Sequence, residues 1–227
     1  MWLEILAISL WGGIVAMDTT AAFQFMISHP IISSSVVGLI LGNFPVGFII
    51  GIVLELIWLN ELPIGAAKFA QGNIGATNAA AIAILTIEQT SRTTPSVAFA
   101  LISSIIISTV GGQLVVWMRN MNSKIYDHIL SIDNLTFRDV TKAHLTGVVL
   151  AFFLGFLLTL VSLILFAVIL LPGLIDRWPE SADRFLRPIA GGFFGVGCGI
   201  LIYLFINHKK WWLLFVGLAG GFFIYFT

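Results

Sequence analysis

The chain has 227 residues, of which 59% are hydrophobic and only 10% charged, and its eleven acids balance its eleven bases. A soluble domain carries about 25% charged residues, so this composition and a mean hydropathy of +1.04 exclude one. Runs such as 149–171 do not alternate apolar with polar residues, which excludes a transmembrane β-barrel.

What remains is an all-α polytopic membrane protein in a single integral membrane domain. It is predicted to bundle about six to eight transmembrane helices. Charge is unevenly placed: residues 1–91 hold five acids against Lys68 alone, and the remainder holds six acids and ten bases. No basic patch is interleaved with aromatics, so nucleic-acid binding has no support. Cys198 is the only cysteine. It lies in a Gly-rich apolar run and reads as a small packing residue.

The first apolar stretch, 2–17, lacks a basic n-region and a small-residue cleavage site, so it reads as a retained helix. Asp18 is the first deep charge. Asp18 and Gln24 would point about 120° apart on a continuous helix and converge only if the helix breaks. His29-Pro30 ends the segment, because the residue before a proline avoids the α region. Residues 31–43 and 46–59 are two short apolar runs split by Pro45. Glycines at 38, 42, 47 and 51 form two small-xxx-small pairs that let helix backbones approach closely. Neither run reads as an ordinary span, so broken or re-entrant helices are predicted in the N-terminal half.

Residues 29–78 also concentrate the polar groups: Glu55, Asn60, Glu61, Pro63, Lys68, Gln71, Asn73 and Asn78. Polar groups at membrane depth mark a pathway or a site. Irregular backbone there is tolerated only where protein buries it or it lines a cavity. Carbonyls freed at Pro63, together with side-chain amides, offer the donors and acceptors that a polyhydroxyl ligand needs. The stretch after Gln71 reads as a tightly packed helix with a polar edge. Asn and Thr of that kind also serve as helix-packing hydrogen bonds.

Residues 96–118 form a span, and 119–143 is the one long polar stretch, read as an amphipathic surface segment or docking loop. Residues 144–171 form a long helix ended by Pro172-Gly173. A polar loop (174–187), a Gly-rich span (188–206), a turn (207–210) and a last span (211–226) follow. Basic residues favour 119–143 in the cytoplasm with the C-terminus outside. In this division, 1–90 is the substrate region, with broken helices, and 144–227 is scaffold.

Catalytic signatures are absent. There is no His-Glu-x-x-His, no Gly-x-Ser-x-Gly elbow, no P-loop and no dinucleotide fingerprint. The four histidines are scattered near segment ends. No catalytic residue, metal ligand or cofactor is expected.

Residues 18–76 resemble the IIC membrane subunit of the mannose/fructose/sorbose family of bacterial phosphotransferase systems. The likeness rests on Asp18, Phe23-Gln24-Phe25, Pro30, the 37–42 Val-Gly-Leu-Ile-Leu-Gly run, Gly47, Gly51, Leu54-Glu55-Leu56 and Ile64-Gly65-Ala66-Ala67. The chain departs from the family pattern at His29, where Arg is usual, and at 68–71, where Ala-Pro-Asp usually follows. The resemblance implies a multi-pass protein of the bacterial inner membrane that moves a hexose or hexosamine. It also implies pairing with a second membrane subunit, IID, in a trimer of heterodimers, and phosphorylation of the sugar by cytoplasmic IIA and IIB subunits. Candidate hydroxyl-binding residues are Asp18, Gln24, Glu55, Asn60, Gln71 and Asn73. The competing readings are a non-transporting membrane scaffold and a stand-alone permease uncoupled from phosphotransfer.

Overall fold

The computed structural model describes residues 1–59, 69–207, 212 and 215. Asn60, Glu61, Pro63, Lys68, the turn after 207 and most of the expected last span lie outside these residues. Among the described residues there are only helices and the turns between them.

Helix α1 (Trp2–Thr20) runs past Asp18 before the chain breaks. Residues 21–29 are irregular, with Phe23, Gln24 and Met26 at positive φ. Pro30 then starts α2 (Pro30–Ile40), where its missing N–H costs nothing. Pro45 opens α3 (Phe44–Trp58) in the same way. At 1.5 Å per residue these helices are about 16 and about 22 Å long, too short for a hydrocarbon core of about 30 Å. They fold into a hairpin, turned at Gly42 with φ +69°. A Cβ at Gly47 would lie 2.5 Å from the Ser34 carbonyl oxygen, and one at Gly51 would lie 2.9 Å from Ile31 Cα. Three of the four predicted glycines, Gly38, Gly47 and Gly51, therefore let the two backbones approach, while Gly42 serves the turn.

Helix α4 (Gly72–Thr90) is the centre of the bundle. From Gly72 to Thr86 only Asn73 escapes full burial. The helix packs on α1, α2, α3 and α5 (Thr93–Leu130), and on the elements that follow α5. Ala79, Ala80, Ala81 and Ala83 permit this close packing on every side. Asn78 donates to Thr159 Oγ1 at 3.3 Å, a polar tie between α4 and α6 (Phe137–Ser162). Helix α1 lies along α6, where a Cβ at Gly155 would collide with the Ala16 side chain.

The polar stretch 119–143 is largely helical. Its first part extends α5 to Leu130 and its last part begins α6. Thr136 and Asp139 close a capping box at the start of α6, satisfying two of the N–H groups that a helix start leaves open.

The expected stop at Pro172-Gly173 is corrected by the structure. The helix passes from α6 through a π-helical stretch, Leu163–Leu170, into α7 (Leu171–Arg177). Leu171 N–H donates to Phe166 O, five residues back. In that register Pro172 would donate to Ala167 O, and it has no N–H to give. Gln89 of α4 supplies the donor instead, with Nε2 3.0 Å from Ala167 O. The wide turn accommodates the proline, and a side chain from the neighbouring helix satisfies the carbonyl.

Helix α8 (Asp183–Asn207) returns along α3 and α5. Arg92 ties this end of the bundle together. Its guanidinium donates to Ile175 O at 2.7 Å, Trp178 O at 2.5 Å and Asp183 Oδ1 at 2.6 Å. Among the described residues, Trp2–Thr20, Thr93–Leu130, Phe137–Arg177 and Glu180–Ile206 are long and apolar enough to cross a bilayer. The chain is a multi-pass helical membrane protein.

Candidate functional site

The break after α1 and the ends of α2, α3 and α4 meet around a cavity of about 400 Å³. Pockets of about 300–1,000 Å³ hold small molecules. Four of the six predicted residues, Asp18, Gln24, Glu55 and Asn73, line it. The condition set by the sequence is met: the helix stops at Thr20, and Gln24, at φ 53°, returns to the same space as Asp18.

The four are not equivalent. Asp18 is only 2% exposed. Its Oδ1 accepts the Phe25 N–H at 2.7 Å, and its Oδ2 accepts the Ser28 N–H at 3.0 Å. Charge-assisted bonds of this kind are the strong ones. They pin a loop whose positive-φ residues are sterically unfavourable.

Glu55 holds the next joint. Its Oε2 accepts the Ile31 N–H at 3.1 Å in the first turn of α2, and its Oε1 lies 2.7 Å from His29 Nδ1. A carboxylate at a helix N-terminus satisfies an open N–H and faces the positive end of the dipole.

Asn73 projects from the first turn of α4. Its Nδ2 donates to Thr19 Oγ1, and its Oδ1 accepts the Ile74 N–H at 2.9 Å. Gln24 is exposed in the cavity. Gln71 stands apart. It is 5% exposed, its backbone N–H donates to Ser108 O at 2.9 Å, and it borders a separate hollow of about 30 Å³. Asn60 lies outside the described residues; Leu59, just before it, lines the cavity.

Sequence reasoning passed over His29 and Trp58. The His29 side chain is 48% exposed, and Glu55 engages its Nδ1, which leaves Nε2 as the ring nitrogen open to a ligand. A place immediately before a helix-starting proline was the available signal. Trp58 follows Glu55 by three residues, on the same helix edge. Its ring packs where a Cβ at Gly72 would otherwise sit. Among the described residues its Nε1 is buried with no hydrogen-bond partner, and buried polar groups normally have one. Among the described residues no group of three His, Cys, Asp or Glu is placed to hold a metal ion.

Broken helix ends in a multi-pass bundle border a cavity lined by carboxylates, amides and an imidazole, which makes this a multi-pass membrane protein with a candidate polar site. The comparisons specify which kind. The family model described as the sorbose-specific IIC component of the phosphotransferase system matches residues 2–226, and the chain belongs to that family. Its members are permease components of sugar phosphotransferase systems.

A sorbose-specific EIIC component of Klebsiella pneumoniae is 26% identical over 225 residues, covering 97% of this chain and 80% of the relative. One from Lacticaseibacillus casei is 36% identical over 75 residues, covering 33% of this chain and 27% of the relative. A solved structure described only as a membrane protein shares the fold. Its TM-score is 0.74 at 21% identity, with 96% of this chain and 87% of that one covered.

Proposed function

We propose that this chain is the sugar-translocating IIC subunit of a mannose-family phosphotransferase system in a bacterial inner membrane. It moves a hexose or hexosamine, and the names of the relatives make sorbose the first sugar to try. IIA and IIB subunits phosphorylate the sugar, and a IID subunit completes the membrane unit as a trimer of heterodimers. The observation that supports this most is the convergence of Asp18, Gln24, Glu55 and Asn73 on one cavity in a chain of this family.

In this reading Gln24, Asn73 and the open nitrogen of His29 meet sugar hydroxyls directly, since amides both donate and accept. The Trp58 indole N–H is an unused donor beside them. Asp18 and Glu55 act on the sugar by holding the loop and the start of α2 in place. Asn60 and Gln71 remain part of the proposed site, flanking it in sequence.

Uptake of radiolabelled sorbose, fructose, mannose and glucosamine, in a permease-deficient bacterium expressing the chain with its IID, IIA and IIB partners, tests the proposal. Gln24→Ala and Asn73→Ala are each expected to lower uptake at sub-saturating sugar about tenfold, as loss of about 1.4 kcal/mol of hydrogen bonding would. Membrane abundance should not change. If no sugar is moved by a correctly assembled complex, the chain is a scaffold. Uptake that persists without IID makes it a stand-alone permease.

A further inference from the structure

Among the described residues, the sugar cavity and two further hollows are lined by neighbouring stretches of chain. The largest, about 690 Å³, is a cleft between the distal half of α5 and the first turns of α6. Asn122, Tyr126 and His144 line it, with Arg119 on the side toward the sugar cavity. Among the described residues Asn122 Oδ1 is buried with no hydrogen-bond donor, where buried acceptors normally have one.

The cleft and the sugar cavity share a wall. Asp18 and Thr19 line the cavity, while Thr20 and Ala21, the next two residues, line the cleft. Phe69 faces the cavity, and the Arg119 guanidinium carbon lies 5.5 Å from its ring centroid. The small hollow beside Gln71 shares Thr20 and Met118 with the cleft. The wall itself is a patch of side chains, Val115, Met118 and Ala151 packed with Phe69 and Ala21, distinct from the main core. The Phe69 backbone is fixed against Gly112, where a Cβ would collide with its carbonyl oxygen. Its ring is held by side-chain contacts that rotation breaks.

We infer that the α5–α6 cleft is a second sugar vestibule, and that sugar passes between it and the binding cavity by displacing the Phe69 ring. The inference rests on the transport reading. It assigns Gln71 a place: the residue borders the small hollow that shares Thr20 and Met118 with the cleft. A path for a polyhydroxyl solute needs a hydrogen-bonding partner at each step, because an unpaired hydroxyl is costly away from water.

The test starts from Cys198→Ser, which removes the only cysteine, in the full complex. Single cysteines are placed by Ala143→Cys in the cleft, by Leu59→Cys in the sugar cavity, and by Asn134→Cys on the exposed turn outside both. Cells are treated with membrane-permeant N-benzylmaleimide, and sorbose and mannose uptake is read against the treated cysteine-free parent. The expected result is at least a tenfold loss at positions 143 and 59 and no change at 134. Loss at 59 with none at 143 overturns the vestibule and leaves the cavity as the site. Equal loss at 143 and 134 also overturns it, since blockage would then follow from burdening the hairpin. Full labelling of the Leu59→Cys variant with unimpaired uptake removes the cavity reading itself.

Discussion

At the scale of single residues, the two carboxylates that line the cavity are both engaged within the protein. Both oxygens of Asp18 are taken by backbone N–H groups, and both oxygens of Glu55 by Ile31 N–H and His29. Asp18→Asn separates a holding role from a ligand role. The amide keeps one acceptor and turns its NH2 toward the second backbone N–H, leaving a buried donor unpaired. The expected cost is about 1–3 kcal/mol, read as a lower unfolding temperature in detergent and faster proteolysis within 21–29. Unchanged protease resistance with weakened sugar binding would show that Asp18 touches the sugar instead. The sequence made the residue visible as a deep charge. It did not show where the lone pairs go, because that depends on a loop whose three left-handed residues are not glycines.

At the scale of elements, the junction of α6 and α7 carries a double test. Gln89→Leu leaves Ala167 O with no donor, since Pro172 has none, and is expected to cost about 1–3 kcal/mol. Pro172→Ala restores an N–H in the π register, so the double variant should recover much of that loss. Thermal melts of the four proteins in one detergent decide it, and strictly additive losses would rule the compensation out. This junction also shows what periodicity misses. A proline reads as a stop, and only the partner across the interface reveals that its missing bond is replaced. The α2–α3 hairpin was legible for the opposite reason: its prolines, its short apolar runs and its glycine spacing are all local signals. The side on which Gln71 falls was not. It depends on how the start of α4 packs against α5, which tertiary contacts set and local sequence does not.

At the scale of the whole molecule, the class was readable from composition, and four of the residues that line the cavity from where polarity interrupts it. What stayed hidden were partners separated by long stretches of chain, such as His29 with Glu55 and Arg92 with Asp183. The buried centre has a consequence for how the protein is made. Helix α4 is enclosed by protein along most of its length, and Ala, Gly, Thr and Asn supply twelve of its 19 residues, so it is absent from the helices apolar enough to cross by themselves. Insertion machinery sorts a segment by its affinity for lipid, and α4 offers little. It should enter the bilayer only as a passenger, carried in by the strongly apolar α5 that follows it. A glycosylation-mapping assay is expected to find α4 alone largely translocated past the membrane and α4 joined to α5 inserted. Efficient insertion of the isolated helix would refute this. Damage to α5 would then appear first as a chain threaded the wrong way through the membrane, before any sugar is bound.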